Sequence, residues 1–256
     1  MSIQSDSGRG RKLNRRTVFI VVGVIAAVGV LTITFWLVRS HARQAWIKSH
    51  EFQDVHAKDG LGRTPAHMAA EEGRVDLLIW LQKQGVDVTA GEDILGKTPM
   101  QYAAENGRIP TMEWLKSQGA DMTQEGLGYP MLFATLGGHL EAMKWLKLHG
   151  ADVNARDKTH GVTPMHHAAS GGRVDIMVWL KEQGAEIDAK TNSGQTPMHL
   201  AAQGRWLERS SRVDAMAWLK AQGADINAKD DKGQTPLTVA SGEDEKKWLL
   251  DNGAQE

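Results

Sequence analysis

Two kinds of hydrophobic pattern divide the chain. Residues 17–38 form an unbroken run of 22 residues without a charge, flanked by Arg16 and Arg39. From residue 42 onward the apolar positions come in short clusters that recur, each marked by a Trp and an aliphatic residue: Trp46-Ile47, Trp80-Leu81, Trp114-Leu115, Trp145-Leu146, Trp179-Leu180, Trp218-Leu219 and Trp248-Leu249. The intervals are 34, 34, 31, 34, 39 and 30 residues. Such a beat means that one supersecondary unit has been copied along the chain, and that the core is built by stacking the copies.

A second marker keeps the same period. Thr64-Pro65, Thr98-Pro99, Thr163-Pro164, Thr196-Pro197 and Thr235-Pro236 each precede a short apolar stretch, and Tyr129-Pro130 fills the remaining slot. Thr caps a helix and Pro suits its first turn, where no amide donor is needed. Each unit is therefore expected to be a helix pair. Gly73, Gly107, Gly138 and Gly172 fall at the turn between the two helices. The Trp-aliphatic pair lies in the second helix, which ends at a glycine (85, 119, 150, 184, 223 or 253) suited to a left-handed cap.

These residues resemble the ankyrin repeat. Its T-P-L-H-x-A signature is matched by Thr64-Pro65-Ala66-His67-Met68-Ala69, Thr163-Pro164-Met165-His166-His167-Ala168 and Thr196-Pro197-Met198-His199-Leu200-Ala201. Gly150-Ala151-Asp152-Val153-Asn154-Ala155 and Gly223-Ala224-Asp225-Ile226-Asn227-Ala228 are similar to the family's finger stretch. The resemblance covers about residues 42–256 and implies an all-α solenoid of helix pairs joined by short β-hairpin fingers. It also implies protein binding through the finger tips and the concave face of the first helices. In this frame residues 39–54 are a half repeat and 55–256 hold five full repeats and a shortened C-terminal one. The charged run Glu243 to Lys247 reads as the solvated face of that cap.

The uncharged run reads as one transmembrane helix, since 22 residues at 1.5 Å each reach about 33 Å, enough to cross a hydrocarbon core of about 30 Å. Trp36 suits an interfacial anchor. The alternative is a cleaved signal peptide, for which Ser40-His41-Ala42 has suitable small residues, although the apolar run exceeds the usual length. The basic tail 1–16 carries Arg9, Arg11, Lys12, Arg15 and Arg16, whereas Arg39, Arg43 and Lys48 follow the run. The positive-inside rule then keeps the N-terminus cytoplasmic and the repeats outside, in the periplasm if the cell is a diderm bacterium. Gly23 and Ala27 form a small-xxx-small pair, compatible with weak self-association or with plain lipid-facing packing.

Charge and chemistry narrow the function classes. Outside the basic tail 25 positive side chains face 30 negative ones, which argues against a nucleic-acid partner. The chain has no cysteine, so disulfides and thiolate chemistry are excluded. No catalytic motif and no cofactor signature is present, and His166-His167, adjacent on a helix, diverge by about 100° and so do not form a metal pair. The expectation is a membrane-anchored, non-enzymatic scaffold for a protein partner. The rival reading is a periplasmic accessory protein supporting a partner enzyme, for example in oxidative-stress defence, as in bacterial ankyrin proteins that look like this one.

Where would a partner sit? The fifth repeat carries six extra residues, among them Arg205, Trp206 and Arg209, and a Trp between arginines has the composition of an interface hot spot. Packing of Trp206 on its own stack is the alternative. On the fingers the candidates are Glu92, Asp93, Arg156, Asp157, His160, Lys190, Asn192, Asp230 and Lys232, with Lys97, Lys158 and Lys229 beside them. The seven recurring tryptophans, 46, 80, 114, 145, 179, 218 and 248, are assigned to the core between helices. The third repeat departs from the pattern through a short finger and through Leu132, Phe133 and Thr135. This reads as a seat for a partner or as tolerated drift.

Overall fold

Each Thr-Pro pair does start a helix. In the computed structural model Thr64, Thr98, Thr163, Thr196 and Thr235 are extended N-caps with Pro in the first turn. The structure describes residues 32, 34, 37–91, 93–94, 96–122, 130–204 and 209–255, with the backbone alone for 209–211. Two units are distinguished, residues 1–53 and 54–256. In the first, helix α1 runs over residues 37–49 and places Trp46 half-buried and Ile47 buried. The His50 ring packs on Trp46 with centroids 4.5 Å apart, as the His149 ring packs on Trp145 at 4.1 Å.

The second unit consists of helix pairs: α2 (Pro65–Glu72) with α3 (Val75–Lys83), α4 (Pro99–Glu105) with α5 (Ile109–Ser117), and α6 (Pro130–Gly137) with α7 (Leu140–Leu148). There follow α8 (Pro164–Ser170) with α9 (Val174–Glu182), α10 (Pro197–Gln203) with α11 (Arg209–Ala221), and the short α12 (Pro236–Val239) with α13 (Glu243–Asp251). Every first helix touches the first helix of the next pair, so α2, α4, α6, α8, α10 and α12 form one row. The reason is small residues: Ala69-Ala70, Ala103-Ala104, Ala168-Ala169 and Ala201-Ala202 are all fully buried and let the backbones approach. In α6 the second alanine is Thr135, whose hydroxyl is buried but donates to the Met131 carbonyl at 2.7 Å. The turn and C-terminal glycines have positive φ, for example +79° at Gly138 and +93° at Gly150, the left-handed region in which a side chain is strained.

Three expectations are corrected here. Among the described residues the fingers contain no strand. The fingers at Asp59 and Asp230 are each closed by two backbone bonds, as from Asp59 to Arg63 and Gly62 to Asp59, and further amides are taken by the aspartate side chain at the base, so no ladder develops. Neighbouring fingers are also linked by single bonds, from Ile94 to Leu61, Asn192 to His160 and Asp231 to Ser193.

The second correction concerns the tryptophans. All seven are only half-buried, whereas Leu81, Leu115, Leu146, Leu180, Leu219 and Leu249 beside them are fully buried. Met112, Met143, Met177 and Met216 share that interior. On α3 the buried positions are Leu77, Leu78 and Leu81, and a helix turns 100° per residue, which sets Trp80 about 110° off the centre of that stripe. The tryptophans therefore border the core and do not fill it.

The third correction is Glu245. It belongs to the charged run assigned to solvent, yet it is fully buried and pairs with Arg212 of α11 at 2.8 Å. Only part of the run is solvated, as at Glu243, whose side chain is 90% exposed.

Among the described residues no helix is long and apolar enough to cross a membrane. The run 17–38 lies almost wholly outside the described residues, as do Gly23, Ala27, Trp36, Glu92, Arg205 and Trp206.

Candidate protein-binding groove

The residue in the third turn position of each first helix fixes how the row is joined. The backbone amide of Thr163 donates to Nδ1 of His166 at 3.2 Å, which leaves the ring proton on Nε2. That nitrogen donates to the Gln195 carbonyl in the next finger at 3.0 Å. His67 bridges Thr64 and Lys97 in the same way, and His199 bridges Thr196 and Gln234. Burial, the main cause, pushes His166 down to about 4 and lowers His199 as well, so both rings stay neutral.

The next residue along each helix turns outward to the row's open face: Met68, Tyr102, Phe133, His167, Leu200 and Val239, with only Tyr102 counted as buried. His166 and His167 thus point in different directions, and among the described residues no three metal-binding side chains come together. A groove of about 830 Å³ opens over α6, α8 and α10. Leu136, Val162 and Leu200 form its apolar walls, while His167, Ser170, Gln195 and Gln203 offer uncharged polar groups. Burial, helped by nearby Arg173 and opposed by Asp157, pushes His167 down to about 4.

Among the described residues that line the groove, Arg173 is the one that carries a charge. It precedes α9, crosses over Gly138, and donates from Nη1 to the Thr135 carbonyl at 2.6 Å. A Cβ on Gly138 would lie 2.7 Å from its Nε, so the glycine leaves room for the crossing. Arg108 makes the equivalent reach to the Glu71 carbonyl at 3.0 Å. A concave space of this volume, with three aliphatic walls interleaved with polar side chains, has room for a side chain or short segment of another molecule.

Over α2 and α4 the face is differently furnished. Lys97 is nearly buried, with Nζ 2.6 Å from Glu105 and 4.2 and 4.4 Å from the ring centres of Tyr102 and Phe133. Tyr102 donates to Asp93 at 2.9 Å, and burial and that bond raise its phenol well above the usual range. Arg63 lies 3.5 Å from Glu71. These charges offset one another, though Glu71 Oε2 is buried without a hydrogen bond among the described residues, and the departure at Phe133 has a packing role as one wall of the lysine's box.

None of the described finger residues singled out from the sequence is among those lining the groove. Asp93, Asp157 and Asp230 hold their own fingers closed: Asp157 accepts from the amides of Thr159, His160 and Val162, Asp230 from those of Lys232 and Gln234, and Asp93 from that of Lys97. Arg156 bonds the Lys190 carbonyl and Asn192 bonds that of Thr159, ties between adjacent fingers. His160, Lys190, Asn192 and Lys232 are exposed at the tips. Arg209 begins α11, with its backbone alone described. The sequence reading missed Arg173, Leu200 and Leu136; the signal was available in the position after each signature His and in the one before each second helix.

The family model for ankyrin repeats (3 copies) matches residues 24–125 and 131–230. The chain belongs to the ankyrin-repeat family. Its first matched stretch begins inside the uncharged run 17–38. Comparison with curated proteins gives no match. Ankyrin repeats are protein-interaction modules, and in this ankyrin chain the helix pairs, the signature-histidine bridges and the finger turns all serve to hold the first-helix row rigid.

Proposed function

We propose that this ankyrin stack is a non-catalytic, membrane-anchored scaffold that binds a protein partner in the groove over α6, α8 and α10. The observation that carries the binding part is the groove: Leu136 and Leu200 are held on helices α6 and α10 and Val162 at the base of a closed finger, all fixed by their neighbours, so little order is lost on binding. The anchor rests on the sequence, on 22 uncharged residues between Arg16 and Arg39. The five basic residues before that run support a cytoplasmic N-terminus with the repeats outside the cytoplasm.

A photocrosslinking amino acid placed at Leu200 in intact cells tests the groove, with exposed Lys83 of α3 as the control position. A discrete protein adduct at 200 and none at 83 is expected; equal labelling at both positions, or none, overturns the reading. Topology is tested separately by exploiting the absence of cysteine. Ser193→Cys sits on an exposed finger, and a membrane-impermeant maleimide is expected to label it in intact cells. Labelling only after lysis would place the repeats in the cytoplasm and reverse the orientation.

A further inference from the structure

The concave row changes chemistry along its length. Seven residues after each capping position stand Glu71, Glu105, Leu136, Ser170 and Gln203 in turn. The two carboxylates are neutralised by Arg63 and Lys97, at 3.5 and 2.6 Å. The three positions that line the groove carry no charge at all. Arg173 stands among them with no close ion pair: among the described residues no carboxylate lies within 4.0 Å of it, and Asp175 acts on it only from farther away. Arg108 likewise reaches a carbonyl, that of Glu71, but two other equivalents differ. Arg74 takes Asp76, two residues on, with bonds of 2.9 and 3.1 Å, and Arg212 takes Glu245. Arg173 has Asp175 at the same spacing but is turned across Gly138 to the Thr135 carbonyl. Asp157, the other acid near the groove, already accepts three finger amides. A guanidinium has five donors, and among the described residues one bond from this one is made, to the Thr135 carbonyl.

We infer that the groove takes an extended acidic protein segment, seating an aliphatic side chain against Leu136, Val162 and Leu200 and an adjacent Asp or Glu carboxylate on Arg173. The inference rests on the groove being the protein-binding site. The partly desolvated guanidinium is a strong donor to a planar carboxylate, and the uncharged walls give a basic segment nothing to pair with. Ser170 and Gln203 flank the position and can bond the segment's backbone.

The test uses the full chain in nanodiscs as bait for a phage-displayed random heptapeptide pool. Peptides with Asp or Glu within two residues of Leu, Ile or Val are expected to be enriched. For the best of them, Arg173→Gln and replacement of the peptide's acid by its amide should each weaken binding about tenfold, and together no more than either alone, as for two ends of one contact. Independent, multiplying losses would overturn the inference. Since Arg173 also braces Thr135, Gln203→Lys is measured beside it; this added charge leaves the brace intact and should tighten the acidic peptide severalfold, and no change would count against the inference. If enriched peptides are aliphatic or basic, and Leu200→Glu displaces them, the groove reading survives and the acidic partner falls. If nothing is enriched, both fall.

Discussion

Arg212 and Glu245 meet 2.8 Å apart with side chains only 7% and 0% exposed, and this buried pair joins α11 to α13. Removing one partner strands the other charge out of water. Glu245→Ala is expected to cost about 3–5 kcal/mol in urea unfolding, with the earliest loss of amide protection in α13, while Arg212→Met with Glu245→Leu recovers most of it. An unchanged midpoint for Glu245→Ala would mean that the pair holds nothing.

Acid should loosen the stack in a defined window. Burial lowers His166 and His167 to about 4 and lowers His199, whereas the unfolded chain takes up these protons near 6.5. Between those values the unfolded state binds more protons, so stability falls as pH drops from about 6.5 towards 4. Gln101 fills the signature-histidine position in the second repeat, its side-chain oxygen accepting from the Thr98 amide at 2.8 Å. Replacing His166, His167 and His199 by Gln should therefore keep the fold and flatten the urea midpoint across that window. A wild-type midpoint that is already flat would contradict this.

Finger residues should separate into two classes. Asp157→Ala removes the acceptor for three amides and is expected to cost about 1–3 kcal/mol, with faster hydrogen exchange at Thr159, His160 and Val162. His160→Ala, at an exposed tip, should stay within about 0.5 kcal/mol. Equal effects would mean that the carboxylate is not what closes the finger.

The contact between the second and third repeats should be intolerant of a single methyl. A Cβ at Gly137 would stand 1.9 Å from the Glu105 carbonyl oxygen, which is backbone and cannot swing aside. Gly137→Ala is expected to lower stability by about 1–3 kcal/mol in thermal or urea melts. Gly60→Ala meets nothing within 4 Å and serves as the control.

The helix pairs were legible because their signals are local. Thr64 with Pro65 and His67 specifies a capped helix whatever surrounds it, and Gly85 specifies its partner's end. What depends on the neighbouring repeat was not legible. Trp80 and Leu81 are adjacent and both hydrophobic, and only the placement of the next helix decides that Leu81 is interior and Trp80 marginal. Glu245 looks like any member of a charged run until the packing of α13 on α11 sets it against Arg212. Asp157 was read as a partner contact because an exposed finger implies a solvated carboxylate; its own backbone amides had claimed it first. His167, adjacent in sequence to the bridging His166, lines the groove instead, a difference set by the 100° turn between neighbours on a helix.

The bridge made by the signature histidines has a direction. His67, His166 and His199 each donate forward, into the finger that follows. At the corresponding place in the sixth repeat Thr238 folds its hydroxyl back onto the Thr235 carbonyl at 2.8 Å. The joint is thus polarised: in each of these three repeats the side chain that caps one helix also holds the finger of the next repeat, so register passes from one unit to its successor.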